Sequence, residues 1–195
     1  YLAHGKWIPL DKMPVDGIRD ITLEDIKWAQ RLGFKIKLLA LVLRDFKKGH
    51  VFASVQPALV PDEMVLANVD GVFNAISVTG DIVGESIYIG RGAGQDATAS
   101  AVISDIVDAG TAIAHGIMPE EPINREDLSL AHPEDVFRSF YIRLAVKDKP
   151  GALADVASVL SKQGISIESV LQRPNGTKGA ANLVLTTHVC SEAAM

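Results

Sequence analysis

The sequence predicts an α/β (α+β) protein in which a mixed-sheet domain precedes a smaller ferredoxin-like unit of order βαββα(β). Three observations predict this class. Helix-like and strand-like segments alternate through most of the 195 residues. A stretch rich in proline and acidic residues interrupts that alternation after residue 118. The segments after residue 139 then form a pattern of their own, one strand short of a full ferredoxin-like unit.

Composition narrows the classes of function. Nineteen Lys and Arg residues stand against 24 Asp and Glu, and the net charge of −5 argues against nucleic acid as a partner. The longest apolar run, 36–43, is too short to cross a bilayer, so no membrane association is expected. Cys190 is the sole cysteine, which indicates a reducing, cytoplasmic setting. The five histidines are scattered, so no metal site is expected.

The first domain is predicted to cover residues 1–118, and its first helix is well signalled. Thr22 is placed to cap that helix, and Asp25 stands where a capping box has its acid. Gly33 fits the left-handed position after the last turn. A buried strand follows, then a polar turn at 45–50 and a second strand, in which Pro57 indicates an edge or a break.

Two more strands and a long helix complete this domain. The strands, 71–81 and 84–92, alternate apolar and polar residues, and Thr79–Asp81 suits a tight hairpin turn between them. The helix, 98–115, is apolar around most of its circumference and is therefore predicted to be buried on more than one side. Its polar residues form one narrow stripe: Ser100, Ser104, Asp108, Thr111 and His115.

Residues 119–139 are predicted to be a linker, the alternative being a long surface loop of a single domain. The unit after it, 140–195, consists of a strand, a helix, a strand, a turn at 175–179 and another strand. Pro150 is placed in the first turn of that helix and Gly164 just past its end. A second helix is predicted from Ser191.

The segments Asp148–Leu153, Val159–Leu160 and Gly164–Ile167 resemble the ACT domain, a small amino-acid-sensing module. The turn at Pro150 and Gly151 opens a helix whose free N–H groups favour an anion such as an amino-acid carboxylate. The resemblance implies a regulatory ligand near five residues. They are Asp148, Gly151, Ala152, Leu153 and Ile165.

The rest of the chain resembles homoserine dehydrogenase through the segments 15–42, 57–81 and 90–110. That family interconverts L-aspartate 4-semialdehyde and L-homoserine with NADPH or NADH, and the resemblance implies the same substrates and cofactor here. The family's catalytic residues are expected upstream of Tyr1, so none is assigned in this chain. Both ends look cut, and a fragment lacking the Rossmann domain and the closing ACT strand is expected.

The glycine loop 90–94 leaves two interpretations open. Its G-x-G-x-G spacing is not the Rossmann fingerprint, so it is a weak dinucleotide motif by itself. By resemblance it lies where the chain returns to the cofactor domain, with Gly92, Ala93 and Gly94 beside the nicotinamide cofactor. The alternative is a strand-to-helix turn, which explains Gly90 and Gly92 better than Gly94.

Two further functions stay open beside the enzyme. Residues 140–195 alone would make a non-catalytic regulatory module, with threonine the natural ligand, or a purely structural dimerisation unit. A homo-oligomer, dimer or tetramer, is expected in either case, with residues 140–190 and the exposed face of helix 98–115 as its contacts. Asn68, Asp70 and Asn74 either line a substrate cleft or make hydrogen bonds within loops.

Overall fold

The computed structural model describes residues 1–117, 126–174 and 179–195. Its helices are α1 (Leu23–Arg31), α2 (Gln95–Ala114) and α3 (Ala152–Lys162), with 3-10 turns at Leu10–Lys12, Val65–Asn68, Pro133–Asp135 and Glu192–Ala194. Its strands are β1 (Phe34–Asp45), β2 (His50–Pro61), β3 (Phe73–Gly80), β4 (Gly84–Arg91), β5 (Ser129–Leu130), β6 (Phe137–Arg138), β7 (Tyr141–Lys147), β8 (Ile167–Pro174), β9 (Ala180–Thr187) and β10 (Cys190–Ser191). This mixture of helices and several sheets confirms the predicted α/β (α+β) class.

The chain divides into two compact units that interleave along the sequence. The first contains 1–17, 39–56 and 125–195, and the second contains 18–38 and 57–124. The predicted domains, 1–118 and 140–195, divide the chain at single points instead, and they stay a prediction. Residue 118 and the part of the predicted linker from 119 to 125 lie outside the described residues.

The N-terminal helix forms as its sequence predicts. The Thr22 hydroxyl accepts from the backbone N–H of Asp25 at 3.3 Å, and the Asp25 carboxylate accepts from the N–H of Thr22 at 2.9 Å. This reciprocal pair satisfies two of the donors that a helix leaves open at its first turn. Gly33, with φ +81°, follows the last turn in the backbone region that favours glycine.

Strand β2 lies between β1 and the short β5, which runs parallel to it. The predicted break at Pro57 does not occur, because β2 continues through it to Pro61. The other predicted alternative, an edge position, fits Pro57. Among the described residues, β5 pairs only with His50 and Val51, and a further bridge joins Val55 to Val15. Within the described part of the chain, the β5 side of β2 therefore has no strand opposite Pro57, where proline lacks a donor.

The β3–β4 hairpin turns later than predicted. Gly80 pairs with Gly84, so the loop is Asp81–Val83 and not Thr79–Asp81. Gly84, with φ +76°, closes the loop as the left-handed residue that a three-residue connection uses. Ile82 and Val83 are 91% and 80% exposed. Because both are apolar, the sequence does not mark them as turn residues.

Helix α2 corrects two predictions. It begins at Gln95, three residues before the predicted start at Thr98. None of its residues is buried, so the prediction of burial on more than one side is wrong for the chain as described. Its Ile106 is 65% exposed. An apolar composition indicates that a helix needs a cover, but it does not say that the same chain supplies one.

By length and composition alone, α2 could cross a membrane. It carries Asp105 and Asp108 near its middle, however, and each carboxylate costs roughly 3 kcal/mol at the centre of a bilayer. The core helix of a soluble protein can have the same length and the same apolar composition. The helix therefore gives no reason to add a membrane to the expected partners.

The C-terminal sheet has the order β7-β9-β8, with all pairs antiparallel. This is the order of the first three strands in a ferredoxin-like sheet, with α3 connecting β7 to β8. The central strand β9 is buried along 181–187, and its Leu183, Val184 and Leu185 are fully inaccessible. The predicted turn at 175–179 lies outside the described residues except for Gly179.

Two details of this unit differ from prediction. Gly151 is the N-cap of α3, so Pro150 lies outside the helix and not in its first turn. The residues after Ser191 form a 3-10 turn, whose first N–H groups Ser191 helps to satisfy by accepting from Ala193 at 3.3 Å. A helix starting at Ser191 is therefore present only as this single turn.

Candidate functional site

The glycine loop connects the end of β4 to the start of α2. Phe73 pairs with Arg91, and the backbone N–H of Gly92 donates to the carbonyl of Val72 at 3.0 Å. These contacts extend the β3–β4 ladder by one bond before the chain leaves the hairpin. Residues 91–96 are all exposed, so the loop is open to a partner or ligand.

Gly92 lies in close contact with the side chain of Asn74. A Cβ built at this position would overlap the side-chain amide of Asn74, the residue opposite Gly90 on β3. The sequence alone does not reveal this constraint, because Asn74 precedes the loop by a whole hairpin. The structural role predicted for Gly92 therefore has a specific cause, which is the proximity of the Asn74 side chain.

Gly94 is required by its backbone. It is the N-cap of α2 with φ +130° and ψ 145°, a conformation that is essentially restricted to glycine. A Cβ there would meet nothing within 4 Å, so space near the backbone is open. No side chain caps the helix, and the first turn is stabilised at its start by Thr98 donating to the Gly94 carbonyl at 3.0 Å.

The charges around this loop are mixed. The Arg91 guanidinium lies 5.7 Å from the centre of the Phe73 ring, a cation–π contact that holds it along the hairpin. Asp96 places a carboxylate in the first turn of α2, where the helix dipole favours a negative charge. Arg91 and the N-terminus of α2 favour an anion beside this turn and Asp96 opposes one, so these charges do not select between a phosphate and an uncharged group.

Two lysines of β1 form hydrogen bonds with Asn68 and Asp70, and no sequence motif marks either lysine. Lys35 donates to the Asn68 side chain at 2.8 Å. Lys37 donates to the Asp70 carboxylate at 2.7 Å and to the carbonyl of Val69 at 2.7 Å. Hydrogen bonding and the charge of Lys37 lower the pKa of Asp70 below its ordinary value. The Asn68 side chain also donates to the carbonyls of Asp62 and Met64 at 2.9 and 3.1 Å, so the hydrogen bonds within the loop that were predicted as one alternative are present for Asn68.

The second candidate site is the turn between β7 and α3. Gly151 has φ +93° and carries no side chain to cap α3, which leaves first-turn donors available. Asp148 is exposed, and its N–H donates to the carbonyl of Gly179 at 3.0 Å. The exposed end of this turn could therefore receive a small anionic group.

The five residues predicted here differ in exposure. Asp148, Gly151 and Leu153 are exposed, Leu153 to 39%. Ala152 and Ile165 are 8% and 5% exposed, so their side chains contribute mainly to packing. The assignment of all five to a regulatory ligand stays a prediction.

Among the residues that the structure describes, no group of three or more His, Cys, Asp or Glu side chains lies close enough to hold a metal ion. Cys190 is a free thiol of intermediate exposure.

Comparison with protein families finds two matches along the chain. A family model described as homoserine dehydrogenase matches residues 1–107. A family model described as the ACT domain matches residues 140–194. Together they follow the order of segments on which the two resemblances rest.

Curated relatives and solved structures give the same picture. A homoserine dehydrogenase of Neisseria gonorrhoeae is 37% identical over 96% of this chain, and one of Pseudomonas aeruginosa is 38% identical over 96%. The crystal structure of a homoserine dehydrogenase from Thiobacillus denitrificans has a TM-score of 0.81 at 35% identity over 97% of this chain. The chain spans 44% of the length of each of these proteins.

Proposed function

Because the chain belongs to the homoserine dehydrogenase family, we propose that it forms part of an enzyme that interconverts L-aspartate 4-semialdehyde and L-homoserine. The observation that carries this proposal is the family match over residues 1–107, joined to an ACT match at 140–194. The family implies a nicotinamide cofactor, which we propose to be NADP or NAD. That cofactor supplies the hydride chemistry when bound, and the protein supplies orientation.

The role proposed for this chain is to form one wall of the cofactor site. The backbone of Gly92, Ala93 and Gly94 lies exposed at the start of α2. The open space at Gly94 admits a flat group against the backbone. We propose that the nicotinamide end of the cofactor lies here, since the homoserine dehydrogenase match includes this loop.

The experiment is an assay of homoserine-dependent reduction of NAD⁺ and NADP⁺ by the complete protein and by the 195-residue chain. The complete protein should turn over. The chain alone should not, because the residues that the family uses for catalysis are not assigned in it. Clear turnover by the purified 195-residue chain would contradict the proposed division of roles. An inactive complete protein would contradict the proposed activity.

A second function rests on the ACT match. We propose that residues 140–195 bind an amino acid, threonine being the first candidate, at the turn around Asp148 and Gly151. The uncapped start of α3 supports a carboxylate ligand there. Calorimetric titration with threonine, serine and methionine tests this proposal. Heat from threonine alone would support it, and no heat from any of the three would favour the structural dimerisation unit.

We also propose a cytoplasmic homo-oligomer, dimer or tetramer. Within the described residues β7 pairs only with β9, so its other edge is open, and an open edge invites pairing with another chain. The apolar face of α2 is a second candidate contact. Light scattering at micromolar concentration should give at least the mass of a dimer, and a monomer across that range would contradict this assignment.

A further inference from the structure

A cleft of about 580 Å³ lies in the first compact unit, at the end of the β1–β2 hairpin. Most of its wall is apolar, with Leu43, Phe46, Phe52, Val136 and Phe137 among the lining residues. Its volume is in the range of pockets that enclose a small organic molecule, roughly 300–1,000 Å³. It includes none of the residues assigned above to the cofactor or to the regulatory ligand.

Two nitrogen atoms of side chains that line this cleft lack a hydrogen bond. The Nε of Arg44 and the Nδ1 of His50 are both buried and have no hydrogen-bond partner. Native structures pair the large majority of such buried donors, and an unpaired one indicates a missing water, ion or ligand. Since a carboxylate oxygen of Asp135 lies 3.4 Å from His50 Nδ1, the Nε of Arg44 is the donor of this cleft that lacks an acceptor among the described residues.

The acids in the cleft are already engaged. Asp45 accepts from the backbone N–H groups of Lys47 and Lys48 at 2.8 and 3.1 Å, and these bonds lower its pKa. Asp135 accepts from the side chain of Lys48 and lies 3.4 Å from His50 Nδ1. Within the described residues, neither carboxylate forms an ion pair with Arg44.

Arg44 stacks on an aromatic ring, and its positive charge also acts on His4, whose pKa is lowered first by burial and then by Arg44. The Arg44 guanidinium lies 4.6 Å from the centre of the Phe46 ring, which is 74% exposed. This stacking orients the plane of the guanidinium, whose Nε has no hydrogen-bond partner among the described residues. An arginine held in this way offers a planar pair of donors that matches a carboxylate.

We infer that this cleft binds a small carboxylate with an apolar body, its carboxylate on Arg44 and its body against the three phenylalanines. The inference goes beyond the proposed enzyme activity and does not depend on it. The chemistry follows from the buried, unpaired Nε of Arg44 in a cleft whose wall is mostly apolar. A simple inorganic anion would leave that wall in contact with water.

The test is calorimetric titration of the complete protein with phenylacetate, phenylacetamide and acetate. Phenylacetate should bind. Phenylacetamide, which keeps the ring and loses the charge, and acetate, which keeps the charge and loses the ring, should each bind at least about tenfold more weakly. Equal binding of phenylacetate and phenylacetamide, or no binding of phenylacetate, would overturn the inference.

Variants locate the binding. Arg44→Gln should weaken phenylacetate binding at least about tenfold, which corresponds to the loss of about 1.4 kcal/mol. Arg31→Gln is the matched control, because Arg31 also stacks on an aromatic ring, Trp28 at 5.1 Å, but does not line the cleft. That control should bind phenylacetate as the unmodified protein does.

A second variant keeps the test valid if Arg44→Gln does not fold. Phe46→Ala removes an exposed part of the apolar wall, so the fold should tolerate it while phenylacetate binding falls. Unchanged phenylacetate affinity in both variants that fold would place the ligand elsewhere and overturn the inference. Titration in the presence of saturating threonine should leave the affinity unchanged, because the cleft shares no residue with the proposed threonine site.

Discussion

The β9 region and the α2 region have similar hydrophobicity and opposite exposure. In β9, three consecutive side chains, Leu183 to Leu185, are fully buried at the centre of their sheet. In α2, a segment that is also rich in apolar residues has no buried residue. The side chains of β9 form part of a buried core, whereas the apolar side chains of α2 are exposed to solvent. The difference separates residues that hold this chain together from residues available to a partner.

The largest expected effect contrasts one residue from each region. Leu183→Ala should destabilise the chain by about 2–5 kcal/mol, because it leaves a cavity in a closed core. Ile106→Ala should change the free energy of unfolding by no more than about 0.5 kcal/mol, because Ile106 is mostly exposed. Urea unfolding of the 195-residue chain measures both. Equal losses would break the comparison.

Gly94→Val tests whether the uncovered region serves the cofactor. The φ of +130° makes any L side chain costly, by about 1–3 kcal/mol, so some loss of stability is expected. In the complete enzyme the cofactor KM should rise about tenfold or more if the side chain also excludes the nicotinamide. Gly116→Ala, at a positive φ just past the other end of α2, controls for strain alone.

The readout that decides between the two interpretations of Gly94 is the ratio of effects. A raised cofactor KM in Gly94→Val, absent in Gly116→Ala at matched stability, would favour the cofactor contact. Parallel losses of stability and activity in both variants would favour a turn without a ligand.

Gly92→Ala should have a smaller effect and a specific rescue. The new Cβ forces Asn74 into another rotamer, at a cost of about 1 kcal/mol. Asn74→Ala removes the overlapping amide, so the double variant should recover most of that loss. Unfolding free energies of the two single variants and the double variant measure the coupling, and simple additivity would show that the two side chains do not meet.

The smallest effects concern two exposed ion pairs, one in each unit. Hydrogen bonds to Lys37 and Lys48 lower the pKa of Asp70 and Asp135 respectively. A lowered folded-state pKa stabilises the fold above the ordinary aspartate pKa, and this contribution disappears as the pH falls through the lowered value. Lys37→Gln and Lys48→Gln should each lower stability slightly at pH 7 and not at pH 2. A loss that is undiminished at pH 2 would contradict the assignment.

Local signals were sufficient for much of the fold. Thr22 and Asp25 lie three residues apart, so their capping box is visible in the sequence. The strands around α3 were also predictable from local signals, because each is a contiguous apolar segment with a turn signal at its ends. The hairpin loop was misplaced because Ile82 and Val83 are apolar where turns are usually polar.

The candidate sites depend on distant pairs, and these were not predictable. The overlap at Gly92 involves Asn74 across a hairpin, and Lys37 meets Asp70 across 33 residues. The cleft brings Arg44 and His50 to residues near Asp135. No periodicity marks such pairs, because they arise from chain topology and not from local propensity.

Amide hydrogen exchange tests the central contrast most directly. In the 195-residue chain, peptides covering 181–187 should exchange slowly, and peptides covering 95–114 should exchange much faster. In the complete protein with cofactor bound, the peptides covering 95–114 should become protected while those covering 181–187 change little. If 95–114 were as protected as 181–187 in the isolated chain, α2 would be covered by the chain itself and the account would be contradicted.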